Sequence, residues 1–356
     1  MTDDPWYAQG YLMRGRVYAL KGETDKALAD FNLAVKLAPD NAFCYNNRGL
    51  AFSRKGEHDK AIADFTASLR LNAHNADVYF WRGIAYTARR KYQEALADYN
   101  EALRLRPRSA EALTNRGILY CTGLPDYAKA IADFDEALSL NAEAPLAYRW
   151  RGSAFFQIGE YDKAIADYSR LLSLSSDSAW GYYQRGLVYA KQGAFDKAIA
   201  DYSAALQKNP AYAEALLARG AAYGEVQGNY AAALADFDEA VRLAPSNAAA
   251  YKQRAWALSQ NGQDAQAILD YGQAIRLDGS DPLAYYRRGQ AYARRGDYDR
   301  AIADFTLSLR RDPRQALVYK DRSEAYAKKG DIDKAREDWN TALRIDPVIG
   351  NYPPPF

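Results

Sequence analysis

Apolar and polar residues follow a helical period along this chain, and the helical pattern itself recurs. In residues 76–89, Tyr79, Gly83 and Tyr86 fall three or four apart, the spacing of one helix face. In residues 92–105, Ala95, Tyr99, Ala102 and Leu103 do the same. Most copies of this unit carry a glycine between the two runs, at Gly22, Gly56, Gly159, Gly193, Gly262, Gly296 and Gly330. Glycine suits the left-handed position that ends a helix. A proline after the second run, at Pro39, Pro107, Pro210, Pro245, Pro313 and Pro347, stops it. Asp25, Asp59, Asp162, Asp196, Asp299 and Asp333 stand in the first turn of the second helix, where the helix dipole favours an acid. Asp4-Pro5 and Asp281-Pro282 read as N-cap and first helical residue.

The register is marked by an Arg-Gly pair followed 16 or 17 residues later by an Asp-aromatic pair. The glycine series is Gly15, Gly49, Gly83, Gly117, Gly152, Gly186, Gly220 and Gly289, completed by Ala255 and Ser323, with steps of 34 residues and two of 35. A fixed period of this size predicts a stack of small units, each burying its apolar face on the next. The 356 residues therefore need no second core. The expected organisation is a lead-in over 1–7, ten helix-turn-helix repeats over 8–349 and a proline-rich tail over 350–356. Within a repeat, the Gly of the first helix is expected to face an Ala of the second, such as Ala95, where the helices approach closely.

Tyr79, Gly83, Tyr86, Ala95, Tyr99, Ala102 and Pro107, repeated ten times, resemble the tetratricopeptide repeat family. The resemblance implies an all-α, right-handed superhelical solenoid. In it, the first helices line a concave groove that takes a peptide or an extended partner segment. On the family's groove positions stand Phe43, Phe80, Trp81, Trp150, Phe156, Trp180, Tyr183, Trp256 and Tyr286, each aromatic in only a few repeats. Tryptophan and tyrosine are preferred interface anchors, and the competing reading is packing against the neighbouring first helix. Lys252 and Arg287 add positive charge to the same face, with Arg294, Lys320 and Lys328 against Asp321 and Glu324; this favours a partner that is acidic near the carboxyl-terminal end. The subtype that clamps a chaperone's terminal carboxylate needs Asn after the Gly position. Trp256 follows Lys252 there and Glu324 follows Lys320, so that subtype is excluded.

The residue before the Gly is Arg in all ten repeats, and the residue before the second-helix aromatic is Asp in all ten. Ten arginines could serve an acidic ligand. Matched offsets instead predict a ladder of Arg-carboxylate forks between helices. Of 29 tyrosines, 24 fall at four repeated positions and read as core. Two turns carry one extra residue, around Thr122–Pro125 and Glu225–Gly228. Such a turn is either a tolerated insertion or a loop that reaches a partner.

Composition narrows the function. A net charge of +2 gives no electrostatic reason to expect nucleic acid, and no basic groove is seen. Two cysteines, Cys44 and Cys121, give no disulfide framework and fit a reducing, cytoplasmic setting. No apolar run approaches a membrane span or a signal peptide. His58 and His74 are the only histidines and have neither metal-pair nor triad spacing. No catalytic residue, metal site or cofactor is expected. The alternative to a groove-binding scaffold is a structural module that forms homo-oligomers through its ends. Its last face either stays open or is covered by residues 350–356, which look too short and proline-rich for a helix.

Overall fold

A computed structural model of the chain describes residues 5–356. Residues 1–4, with the expected Asp4 cap, lie outside the described residues. Two compact units divide at Ser176. The first holds α1 (Pro5–Leu20), α2 (Thr24–Leu37), α3 (Ala42–Arg54), α4 (His58–Leu71), α5 (Ala76–Ala88), α6 (Tyr92–Leu105), α7 (Ala110–Thr122), α8 (Tyr127–Leu140), α9 (Pro145–Gln157) and α10 (Tyr161–Leu174). The second holds α11 (Ala179–Lys191), α12 (Phe195–Lys208), α13 (Ala213–Gln227), α14 (Tyr230–Leu243), α15 (Ala248–Gln260), α16 (Asp264–Leu277), α17 (Pro282–Arg294), α18 (Tyr298–Arg311), α19 (Ala316–Lys328) and α20 (Ile332–Ile345). Each unit is a stack of five helix pairs, the all-α repeat class expected.

The turn glycines Gly22, Gly56, Gly159, Gly193, Gly262, Gly296 and Gly330 have φ of 75–84°, where a Cβ is strained. The third repeat puts Arg90 there at φ 57°. Asp281 caps α17 by accepting from the Leu283 N–H, with Pro282 at the first helical position. The two extra residues are absorbed differently. In the fourth repeat the addition stays in the turn, where Asp126 caps α8 through the Lys129 N–H. In the seventh it lengthens α13 to 15 residues, closed by left-handed Gly228.

All ten Arg–Asp pairs form, each through two parallel bonds of 2.6–2.8 Å: Nε donates to Oδ2 and Nη2 to Oδ1. The aspartates are buried. Burial pushes the Asp98 and Asp167 carboxyls up, and Arg82 and Arg151 pull them back. In at least seven repeats the remaining nitrogen, Nη1, bonds the preceding second helix. Arg48 meets Asn32 at 3.0 Å, Arg82 meets Thr66 at 3.1 Å and Arg322 meets Thr306 at 2.9 Å. One guanidinium thus ties three helices.

Two expectations are corrected. The Gly does not chiefly face the Ala: a methyl built on Gly15, Gly49, Gly83, Gly117, Gly152, Gly186, Gly220 or Gly289 would lie 2.6–2.9 Å from the second-helix aromatic ring. The Gly is a notch for that ring, because the ring needs more depth than an Ala methyl. The repeated tyrosines are also not uniformly core. Tyr99, Tyr168, Tyr202 and Tyr271 on second helices are fully buried. First-helix rings such as Tyr79 and Tyr86 are half-buried and flank Arg82 at 5.5 and 5.7 Å, a cation–π sandwich.

The chain end is closed. Pro347–Asn351 makes a short 3₁₀ helix, so part of the expected irregular tail is helical. Its Ile349 is 1% exposed against Trp339, Ala342 and Ala316. Beyond it, the Lys320 ammonium lies 5.2 Å over the Tyr352 ring and the Arg336 guanidinium 5.5 Å over Phe356.

Candidate functional site

Among the recesses along the first helices of the two units, three are lined by residues of the candidate groove face. In the first unit, α5 carries Phe80 and Trp81 edge to face at 5.0 Å. Phe80 is half-buried, 6.2 Å from Tyr99, and leaves Trp81 36% exposed. Together with Ile84, Thr114, Pro145 and Leu146 they line a recess of about 540 Å³, rimmed by Glu111 and Glu143.

In the second unit, Lys252, Trp256 and Arg287 meet around a recess of about 200 Å³ floored by Phe237 and Tyr271. Trp256 stands edge-on to Tyr230 at 6.0 Å and fits against Gly224, where a methyl would lie 2.7 Å from its ring. Lys252 is not a free cation: its Nζ donates to Asp281 at 2.5 Å. Arg287 lies 5.9 Å over Tyr286 and bonds Gln290 at 3.3 Å, with no carboxylate partner among the described residues. Gln253 was not singled out by the sequence. It lines the same recess, and its buried Oε1 has no hydrogen-bond partner among the described residues.

A third recess of about 310 Å³ lies over Phe305, between Arg294, Asp321, Glu324 and Lys328. Tyr286 lies behind its wall, 6.0 Å from Phe305. Its hydroxyl donates to Asp321 Oδ2 at 2.9 Å and accepts from Gln290 at 2.8 Å. Gln290 also donates to Asp321 at 2.8 Å. Burial pushes the Asp321 carboxyl up, against the lowering effect of those two donors and Lys320. A raised carboxyl makes the folded state bind its proton more tightly, so this group costs stability as pH rises from the ordinary carboxylate range through the folded value. Asp321→Asn keeps an acceptor oxygen and removes the charge. It should raise the melting midpoint at pH 7, with the gain vanishing near pH 3–4; a gain independent of pH would refute the buried-charge account.

The other candidates are dispersed. Phe43 is 61% exposed on the first turn of α3. Trp150 is half-buried on the Phe134–Leu138 cluster, and Phe156 leans on Tyr161 at 5.9 Å. Trp180 is half-buried. Tyr183 lies between Tyr202 and Tyr212 at 6.0 and 5.0 Å, and burial raises its hydroxyl pKa.

Tetratricopeptide repeat profiles match residues 15–56, 152–193 and 255–296, residues 46–120, residues 179–212 and 282–315, and residues 316–347. The chain belongs to the tetratricopeptide repeat family. Similar solved structures include a tetratricopeptide repeat protein from Parabacteroides merdae at 23% identity, over 71% of this chain and 99% of that one, with a TM-score of 0.53. PilF of Pseudomonas aeruginosa is 20% identical over 62% and 97%, with a TM-score of 0.52. MamA is 28% identical over 49% and 94%, with a TM-score of 0.45. No curated protein matches the sequence. The tetratricopeptide fold is generally a non-catalytic scaffold for protein interactions. Among the described residues, no helix is long and apolar enough to cross a membrane.

Proposed function

We propose that this tetratricopeptide repeat protein is a non-catalytic scaffold whose first-helix face holds a peptide or extended partner segment. The observation that carries this is the Trp256 recess. It pairs an apolar floor with an unpaired acceptor, Gln253 Oε1, and a cation without a carboxylate, Arg287. A main-chain N–H and a peptide carboxylate supply what those two groups lack, while the aromatic wall takes a side chain. The Phe80–Trp81 recess, with its acidic rim, suits an apolar or basic side chain. Tyr286 packs on Phe305 beside the third recess, while Phe43, Trp150, Phe156, Trp180 and Tyr183, dispersed along the first helices, offer further contacts to an extended segment.

Selection of random 12-residue peptides displayed on phage against the immobilised chain, followed by fluorescence anisotropy, tests this reading. Trp256→Ala or Trp81→Ala should weaken a selected peptide by about tenfold or more, as loss of an aromatic anchor does. Selected peptides indifferent to both substitutions would overturn it. Association of copies through their ends is a second reading, favoured by the exposed face of α1.

A further inference from the structure

Nine repeats serve as internal controls for the first. Two residues after the Gly position stand Ala51, Ala85, Leu119, Ala154, Val188, Ala222, Ala257, Ala291 and Ala325, all buried, whereas their counterpart Val17 is 50% exposed. Five before it, Cys44, Val78, Ala112, Ala147, Ala215, Ala250, Ala284 and Val318 are buried, whereas Gly10 is exposed and nothing lies within 4 Å of a methyl built there. The Arg14 side chain is 58% exposed against 16% for Arg82 and Arg322. Its Nη1, whose counterpart in at least seven other repeats bonds the preceding second helix, has no partner among the described residues. The α1 face is therefore an inter-repeat surface without its second helix.

The complementary surface is on α20. The acceptor for Nη1 stands two residues after the ladder Asp, as in Asn32, Thr66, Asn100 and Thr306. Two residues after Asp338 stands Asn340, which is exposed. The apolar socket beside it, Trp339 with Ala342 and Leu343, holds Ile349 of the tail. The preceding junction shows what that socket otherwise takes: Phe305 and Leu309 hold Val318 and Ala325 of the next first helix.

We propose that a second copy of this chain is the partner of α1, docking its α20 there, and that residues 347–356 occupy the α20 socket and oppose this contact. The contact rests on the end-association reading and specifies its chemistry: Val17 enters the Trp339–Leu343 socket and Arg14 Nη1 donates to Asn340. The two surfaces differ, so the contact is heterologous and assembly size grows with concentration. Displacing Ile349, Tyr352 and Phe356 is the step that exposes the socket.

Sedimentation velocity on the full chain carrying Ile349→Asp and Phe356→Ala, over about 1–100 µM, the range where weak protein contacts form, tests the contact. Circular dichroism verifies that the chain is folded. The average mass should rise with concentration, with association at least tenfold tighter than in the unaltered chain. On the same background Val17→Asp should abolish it, and Asn340→Ala should weaken it about tenfold, the effect of one lost charge-assisted hydrogen bond. Tyr352→Ala with Phe356→Ala leaves Trp339 covered and should shift the mass in the same direction by less. Folded chains that stay monomeric with both tail variants overturn the contact and the end-association reading together. Association that survives Val17→Asp and Asn340→Ala overturns this contact and leaves end association standing.

Discussion

Arg151→Ala should destabilise the first unit by about 3–5 kcal/mol, the usual cost of leaving a buried charge without its partner. Arg151 is 19% exposed and Asp167 6%. The two parallel bonds to Asp167 are 2.8 and 2.6 Å, and a third bond of 2.6 Å reaches Asp135. Alanine removes all three at once. Asp135 is 56% exposed and returns to water at little cost. Asp167 cannot, so most of the loss comes from that carboxylate. Arg151→Ala with Asp167→Asn should therefore be less destabilised than Arg151→Ala alone, which a double-mutant cycle measures directly. The pH dependence carries a definite sign. Burial already raises the Asp167 carboxyl and Arg151 lowers it. Without Arg151 the folded-state value climbs further above the unfolded one. The deficit is then fully present above that raised value and shrinks as pH falls toward the ordinary aspartate range near 3.9. Urea melts of both chains at pH 4 and pH 7 decide it; an equal deficit at both would mean that the charge of Asp167 is not the cause.

The ladder was legible in sequence because Arg and Asp recur in every repeat at matched offsets, and a pairing that never varies implies a bond. The three-helix tie was harder to read. The residue receiving Nη1 changes from Asn32 to Thr66 to Ser203 to Asp238, so no single letter marks it. The notch for the ring was misassigned for a related reason: Gly and Ala both recur as small residues, and spacing alone does not say which large residue each accommodates. Among the candidate site residues, local spacing brings Phe80 and Trp81 side by side. It could not foresee that Lys252 is neutralised by Asp281, because the pair spans 29 residues and joins one first helix to the cap of the next. Gln253 was invisible for the opposite reason. An uncharged side chain at one groove position draws notice only when its acceptor is seen buried and unpaired.

The tail shows how a broken pattern can still be structural. Gly350 to Phe356 lack helical periodicity, yet Tyr352 and Phe356 each meet a cation, and Ile349 just before them buries fully. A solenoid end exposes the same apolar row that every internal junction buries. One isoleucine over Trp339 covers the part of that row where exposure would cost most.

Phe134→Ala should cost about 3–5 kcal/mol, the range for truncating a fully buried phenylalanine. Phe134 is 0% exposed and sits with Ala130, Leu138 and Ala147 in a cluster that Ile118, Tyr148 and Trp150 also touch. Its edge fills the notch at Gly117, where a methyl would lie 2.7 Å from Cε1 and 2.8 Å from Cζ. Removing the ring leaves both a cavity and an empty notch, and the spacing of the helices on either side is fixed by the Arg116–Asp133 fork next to it. The cavity therefore cannot fully collapse, which places the loss in the upper part of the range. The notch also makes a reciprocal substitution informative. Gly117→Ala in the native chain forces its methyl into the ring and should cost about 1–3 kcal/mol by overpacking. In the Phe134→Ala chain the same methyl enters vacant space, and alanine is intrinsically better than glycine inside a helix by about 1 kcal/mol. There it should stabilise. A change of sign between the two backgrounds, read from thermal or urea midpoints, is the outcome required of a ring seated in a glycine notch; additive costs would place the ring elsewhere. Because Trp150 rests on the same cluster, hydrogen exchange in α9 should quicken together with that in α8 in the Phe134→Ala chain, which ties the packing of a first-helix aromatic to the repeat beneath it.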